Sequence, residues 1–95
     1  MIGMKMDIPG GTQAHYDATM KNVGLPLGNT GGNWPKGLIS HSAGPIPSGW
    51  RVVDIWESQA DADAFFKERL HDALMKAGVP ETQPEIWMLY NMHTA

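Results

Sequence analysis

The chain has 95 residues, of which 42% are hydrophobic and 18% charged, with a formal net charge of −3 and no cysteine. Since domains cluster near about 100 to 150 residues, this length predicts a single domain over residues 1–95. The negative charge argues against nucleic acid and acidic membrane surfaces as partners. The lack of cysteine excludes disulfides, thiolate nucleophiles and cysteine-bound metals. We expect a cytoplasmic protein without a signal peptide or membrane-spanning segment.

The first quarter of the chain predicts a strand followed by a helix. Residues 1–8 alternate between apolar and polar or small side chains, which is the period of a β-strand. A Pro-Gly-Gly turn interrupts this pattern, and Thr12 is a suitable N-cap for the helix. The apolar stripe of that helix includes Tyr16, which leaves His15 exposed, and the helix is expected to end near Gly24.

A long loop and a hairpin are predicted next. Residues 25–37 are rich in Gly, Pro and Asn and form the longest irregular stretch of the sequence. Loops of this length are often functional or mobile. Residues 38–43 and 50–57 predict two antiparallel strands, joined by a tight connection over residues 44–49.

The last third predicts a second helix and a final strand. Ser58 and Asp61 resemble a capping box, and an apolar stripe with helical spacing follows them. Gly78 and Pro80 are the expected signals at the C-terminal end of the helix. The final strand is predicted over residues 86–93.

The resulting order of elements, strand–helix–strand–strand–helix–strand, is that of the ferredoxin-like βαββαβ fold. Two right-handed crossovers place both helices on one face of a four-stranded antiparallel sheet. The last two predicted strands carry apolar side chains on both faces, and two helices cover only one face. We therefore expect a homodimer in which a second copy covers the other face.

Several stretches resemble the dimeric α+β barrel superfamily, which includes antibiotic-biosynthesis-monooxygenase-like domains. They are GWRVVDIWES (49–58), QADADAFFKERL (59–70), GLISHSAGP (37–45), DIPGGTQAHYDA (7–18) and AGVP (77–80). The resemblance covers essentially the whole chain and implies a dimeric barrel whose two sheets face each other, with a pocket between sheet and helices in each subunit. It implies less about the reaction, because the superfamily includes monooxygenases, haem-degrading enzymes, isomerases and uncharacterised domains.

His41, Asp54 and Trp56 form the main candidate site. A hairpin centred between residues 46 and 47 pairs position 41 with position 52, which puts all three side chains on one face of the sheet. An imidazole beside a carboxylate in an apolar pocket is suited to abstract a proton from a phenol or an activated C–H group. In this interpretation His41 is the base, Asp54 orients it and Trp56 is a wall. In the alternative, His41 and Asp54 satisfy the backbone or one another in a dimer core, and Trp56 only packs.

Three further aromatic residues are candidates for substrate binding. Trp34 lies in the loop as a lid that stacks on a planar ligand, or as an anchor that fixes the loop. Tyr16 is expected to place its hydroxyl at the pocket edge, and Phe66 to line the pocket. His71 and Asp72 are expected to face solvent.

No cofactor or metal is expected. The sequence contains no HxH or HExxH motif. Haem-degrading relatives carry an Asn on the first strand, and a Trp and a His ligand on the second helix. Here the first strand has no Asn, the helix has Phe65 and Phe66, and the expected ligand position is closer to Met75 than to His71.

The expected function is the handling of a small apolar or aromatic metabolite. One hypothesis is a cofactor-independent monooxygenase-like or isomerase/cyclase-like enzyme with His41 as base. The alternatives are a non-catalytic ligand-binding or accessory dimer and a purely structural pairing module.

Overall fold

Four antiparallel strands form the single sheet found in the computed structural model, which describes residues 1–28 and 31–94. In sheet order they are β2 (Leu38–Ile46), β3 (Gly49–Trp56), β1 (Ile2–Pro9) and β4 (Glu85–Met88). With two helical regions beside this sheet, the predicted α+β class and four-stranded antiparallel sheet are confirmed. Positions 29 and 30 of the predicted loop, and position 95, lie outside the described residues.

Helix α1 (Gln13–Val23) begins and ends at the residues that the sequence predicts. The hydroxyl of Thr12 accepts a hydrogen bond from the His15 backbone N–H over 3.1 Å, which satisfies one free donor of the first turn. Gly24 follows the helix in the left-handed region, with φ of 86°, where a side chain would be strained. These two caps set where α1 begins and ends.

The second helical region consists of three segments that follow one another directly: α2 (Gln59–Phe65), a π-helical turn (Phe66–Leu70) and α3 (His71–Lys76). We call them together the α2–α3 helix. The Ser58 hydroxyl caps it by accepting from the Asp61 backbone N–H over 3.2 Å, as predicted. The π turn was not predicted from the sequence.

The hairpin of β2 and β3 is tighter than predicted. β2 continues to Ile46, and His41 pairs with Asp54, so the predicted pairing of position 41 with position 52 is wrong by two residues. Pro45 is tolerated because β2 is an edge strand, where a missing N–H can face solvent. Since side chains alternate with a period of two, a two-residue shift keeps His41 and Asp54 on the same face.

The final strand is shorter than predicted. It covers Glu85–Met88 rather than residues 86–93, because Met88 pairs with Ile2, the first residue of β1. One further backbone hydrogen bond joins Leu89 N–H to Met1 O over 3.2 Å. Beyond that point the neighbouring strand offers no partner, and Tyr90 is fully exposed.

One face of the sheet packs against the helices. It presents the even-numbered side chains of β1 and β3, and Trp56 on this face is completely buried. Met6 and Ile8 of β1 and Met20 of α1 are also buried here. The core of the protein therefore lies between this face and the two helical regions.

The opposite face, which we call the open face, combines ion pairs with apolar side chains. Arg51 donates to both carboxylate oxygens of Asp7, over 2.6 and 2.9 Å, and this holds the pKa of that carboxyl below its usual range. The Lys5 ammonium lies 3.1 Å from the Glu85 carboxylate, whose hydrogen bond raises the pKa of Lys5. Beside these pairs the indole of Trp87 lies over Gly3, where a Cβ atom would collide with it.

Within the described residues, no helix has the length and apolar character needed to cross a membrane.

Candidate functional site

A cavity of about 70 Å3 lies between the helix-covered face of the sheet and the helices. Its walls are almost entirely apolar, and the polar side chains among them come mainly from α1, β2 and β3. The aromatic and polar side chains that line it include Tyr16, Trp34, His41, Trp50, Asp54 and Trp56. An engineered apolar cavity of about 150 Å3 in another protein holds benzene. The space present therefore fits a molecule smaller than an aromatic ring, and a ring fits only if a wall side chain moves.

Three polar side chains form one hydrogen-bonded chain at the cavity wall. His41 Nδ1 lies 2.6 Å from Asp54 Oδ1, and His41 Nε2 lies 2.5 Å from the Tyr16 hydroxyl. Asp54 is buried, with 6% of its surface exposed, and His41 and Tyr16 are half-buried. We call these residues the Asp54–His41–Tyr16 relay.

The directions of the two hydrogen bonds follow from the donor and acceptor properties of the groups. An ionised carboxylate only accepts, so Nδ1 of His41 carries the proton and donates to Asp54. In the neutral imidazole, Nε2 is then the acceptor, and the Tyr16 hydroxyl donates to it. The Tyr16 and His41 rings are nearly parallel, at 10°, as expected when the hydroxyl lies along the in-plane lone pair of Nε2.

The surroundings of Tyr16 favour its neutral form. Burial is the largest cause that raises the pKa of the Tyr16 hydroxyl, and the negative charges of Asp54 and Asp17 add to it. The Trp50 ring packs against Tyr16 with 5.6 Å between ring centroids. Tyr16 is therefore held in place by the helix cap, by Trp50 and by His41.

The loop between α1 and β2 contributes Trp34, whose ring lies 5.6 Å from the His41 ring at a tilt of 44°. The Trp34 indole N–H donates to Gly31 O over 2.8 Å, which fixes it within the loop. Arg69 of the π turn donates to Asn33 O over 2.9 Å and to Val23 O over 3.3 Å. The α2–α3 helix thus holds both the end of α1 and the loop residue next to Trp34.

Three buried nitrogen atoms at the cavity wall have no hydrogen-bond partner among residues 1–28 and 31–94. They belong to His15 (Nδ1), Trp50 (Nε1) and Trp56 (Nε1). A buried polar group without a partner costs about 1 to 3 kcal/mol, so such groups need an explanation. A ligand that carries acceptor atoms would relieve this cost at the indole N–H groups.

The structure brings together most of the residues that the sequence singles out. His41, Asp54, Trp56, Trp34 and Tyr16 all line the cavity.

Phe66 does not line the cavity: its side chain is 40% exposed, and Phe65 takes its place at the wall. In the π turn, residues five apart face the same side, so Phe65 and Leu70 point to the cavity together.

Sequence reasoning missed two contacts at this site. It predicted an exposed His15, but His15 is half-buried and lines the cavity, so that prediction is wrong. It also placed Tyr16 at the pocket edge without joining it to His41. The N-cap at Thr12 sets where α1 begins, but the side that α1 turns to the sheet and its height above the sheet depend on packing, which the sequence alone does not give.

His71 and Asp72 lie outside the cavity on the exposed side of α3. Nδ1 of His71 is 3.6 Å from Oδ1 of Asp72. No group of three or more His, Asp or Glu side chains in the described part of the chain is placed to hold a metal ion.

In comparisons with known proteins, no protein-family model and no curated protein matches this sequence.

Proposed function

We propose that this protein binds a small, largely apolar molecule and catalyses proton transfer on it without a cofactor, with His41 as base. The single observation that carries this proposal is the Asp54–His41–Tyr16 relay at the wall of an apolar cavity. Enolisation begins with such a proton transfer, and so do the isomerisations and cyclisations that a base catalyses.

The relay has the parts that base catalysis needs. Asp54 fixes the tautomer of His41 so that a lone pair remains on Nε2, and its charge stabilises the imidazolium that forms when a proton arrives. The apolar wall strengthens this charge interaction because it keeps water away. General base catalysis by such a pair typically contributes about 100- to 10,000-fold in rate.

The size of the cavity defines the substrate class. Compact molecules with one activated C–H or O–H group fit the space of about 70 Å3 as it stands. A single aromatic ring becomes a substrate only if Trp34 swings away or if the flexible methionine side chains of the wall rearrange. A monooxygenase-like reaction starts with the same proton transfer and adds dioxygen as co-reactant, so oxygen consumption separates this class from isomerisation.

Nitromethane, a compact carbon acid, tests this proposal. We expect the protein to accelerate the exchange of its methyl protons for deuterium in D2O, as followed by proton NMR. The His41→Gln variant should lose about 100-fold of this rate or more, because the amide cannot accept the proton. Measuring oxygen consumption with the same probe under air assigns the reaction class.

The matched control is His71→Gln, which removes an exposed histidine that also lies beside an aspartate. This variant should exchange nitromethane protons as fast as the wild type. Equal rates for wild type and His41→Gln would contradict the role of His41 as base.

A second candidate is a binding protein without turnover. It is favoured by one observation, namely that both ring nitrogens of His41 already have partners inside the protein. A fully satisfied polar network also serves to fix a unique core. In this case apolar ligands would change the tryptophan fluorescence through Trp34 or Trp50, while no proton exchange would occur.

For the fold, the finer proposal is a ferredoxin-like unit that pairs into a dimeric α+β barrel of the antibiotic-biosynthesis-monooxygenase-like kind. The sheet order β2-β3-β1-β4 and the packing of both helical regions on one face support it. The open face supports pairing, since Trp87 is 42% exposed there beside Val53 and Ile55. We further propose that this homodimer acts in the cytoplasm, which cell fractionation would check.

A further inference from the structure

The relay leaves one hydrogen-bonding position free, and that position belongs to Tyr16. Nδ1 of His41 is bound to Asp54, and Nε2 is bound to the Tyr16 hydroxyl. The Tyr16 oxygen uses its proton in this bond and keeps its lone pairs. Tyr16 also lines the cavity, so its oxygen is the group of the relay on which a bound molecule would act without breaking either hydrogen bond.

We propose that Tyr16 is a catalytic residue that takes the substrate proton while it passes its own proton to His41. This inference rests on the proposed function and changes which group touches the substrate. The X–H bond of the substrate breaks as a new O–H bond forms on Tyr16, and the Tyr16 O–H bond breaks as an N–H bond forms on His41. The electron pair stays on the substrate as an anion, and no oxidant or reductant is needed.

The two proton transfers must occur together, because a free tyrosinate is disfavoured at this position. Burial and the charges of Asp54 and Asp17 raise the pKa of Tyr16, so its hydroxyl holds its proton until His41 accepts it. Concerted transfer avoids the buried anion on Tyr16, and Asp54 then stabilises the positive charge on His41. The groups around Tyr16 therefore favour the passage of a proton through its hydroxyl and disfavour the tyrosinate anion.

The geometry also holds Tyr16 in a single position. Thr12 caps the first turn of α1 four residues before Tyr16, and Trp50 packs on the tyrosine ring. A hydroxyl held 2.5 Å from Nε2 needs little movement to transfer its proton. A tyrosine that served only to fill the core would not need this contact with a histidine that is itself oriented by a carboxylate.

The decisive experiment compares Tyr16→Phe with Tyr90→Phe, which removes the fully exposed tyrosine. The probe is deuterated nitromethane, whose deuterium loss to water is followed by NMR. We expect Tyr16→Phe to lose about 100-fold or more and to reach the level of His41→Gln, while Tyr90→Phe matches the wild type. The wild-type rate of tritium release from tritiated nitromethane should be lower in D2O than in H2O, since the exchangeable proton of Tyr16 moves in the same step as the substrate proton.

Two opposite outcomes have different meanings. If Tyr16→Phe is as fast as the wild type or faster, Tyr16 only occupies Nε2, and this inference is overturned while His41 remains the base. If the wild type is no faster than His41→Gln, the proposed function fails and the inference fails with it. Should Tyr16→Phe not fold, equal wild-type rates of tritium release in H2O and D2O would still overturn the relay through Tyr16.

Discussion

Asp54 is the buried residue on which the orientation of His41 depends. Its side chain is 8% exposed, and the hydrogen bond that it accepts from Nδ1 orients the imidazole that we propose as the base. The sequence pattern predicted that both residues lie on one face of the sheet. This prediction holds although the register differs by two residues, because an even shift preserves the face. The pattern could not give the distance between the two side chains, which depends on where the hairpin turns, nor the contact with Tyr16, which depends on how α1 packs.

Two substitutions of Asp54 separate the effect of its charge on stability from the effect of its shape. Asp54→Asn keeps an oxygen that accepts from Nδ1, so we expect a loss of about 1 kcal/mol in the free energy of unfolding. Asp54→Ala leaves a buried N–H without a partner and should cost about 2 to 3 kcal/mol. Urea unfolding measures both variants, and equal stability of wild type and Asp54→Ala would contradict the buried hydrogen bond.

The ionisation of Tyr16 provides a test of the relay that does not depend on a substrate. In Tyr90→Phe, Tyr16 is the remaining tyrosine, and we expect its tyrosinate absorption to emerge only above the ordinary tyrosine pKa of about 10. Adding Asp54→Asn removes one of the causes of the raised pKa, so the absorption should emerge at lower pH. A titration unaffected by Asp54→Asn would contradict this electrostatic coupling.

The same shift has a defined effect on stability. Because the pKa of Tyr16 is higher in the folded state than in the unfolded state, its contribution to stability is fully present below about pH 10. It is lost as the pH rises through the folded-state value. We therefore expect the stability of Tyr16→Phe to decline less steeply above pH 10 than that of the wild type, as measured by denaturant unfolding.

At the scale of elements, the sequence predicted the second helical region but not which of its two phenylalanines lines the cavity. Phe66 was expected at the wall, and Phe65, the last residue of α2, lies there instead. The sequence of residues 66–70 has ordinary helix-forming character, so nothing in its composition indicates the π turn that carries Arg69. The length of β4 was also overestimated. It is set by where the neighbouring strand β1 begins, and the local sequence pattern of β4 does not show this.

Arg69 is expected to stabilise the arrangement of α1 and the Trp34 loop. Arg69→Met retains the apolar stem but loses two hydrogen bonds to backbone carbonyl groups, so we expect a loss of about 1 to 2 kcal/mol. Backbone amides of residues 31–37 should exchange with deuterium faster in this variant. Lys67→Met, on an exposed position of the same turn, is the control and should behave as the wild type. Unchanged exchange in Arg69→Met would show that the loop is held by other contacts.

At the scale of the whole molecule, the open face is the feature that argues for association. The apolar residues of β3 and β4 on this face were recognised from alternation alone, but the sequence did not reveal that ion pairs share the surface with them. Alternation assigns a side chain to a face, whereas cross-strand ion pairs depend on register. The face is therefore less apolar than expected, and the homodimer that we propose would depend on the patch around Trp87.

Trp87→Arg places a charge in that patch and should convert the proposed homodimer to a monomer in analytical ultracentrifugation. Met75→Arg is the matched control, because Met75 is 64% exposed on α3, away from the sheet. This variant should sediment as the wild type does. A wild-type protein that sediments as a monomer at high concentration would refute the dimer.

The short hydrogen bonds on both sides of the His41 ring also make it a natural spectroscopic reporter. A proton held between such close heavy atoms is strongly deshielded, and the apolar wall slows its exchange with bulk water. Proton NMR should therefore show resonances far downfield of the amide region without any isotopic label. Their movement on adding a small molecule would reveal occupation of the cavity directly, before any turnover is sought.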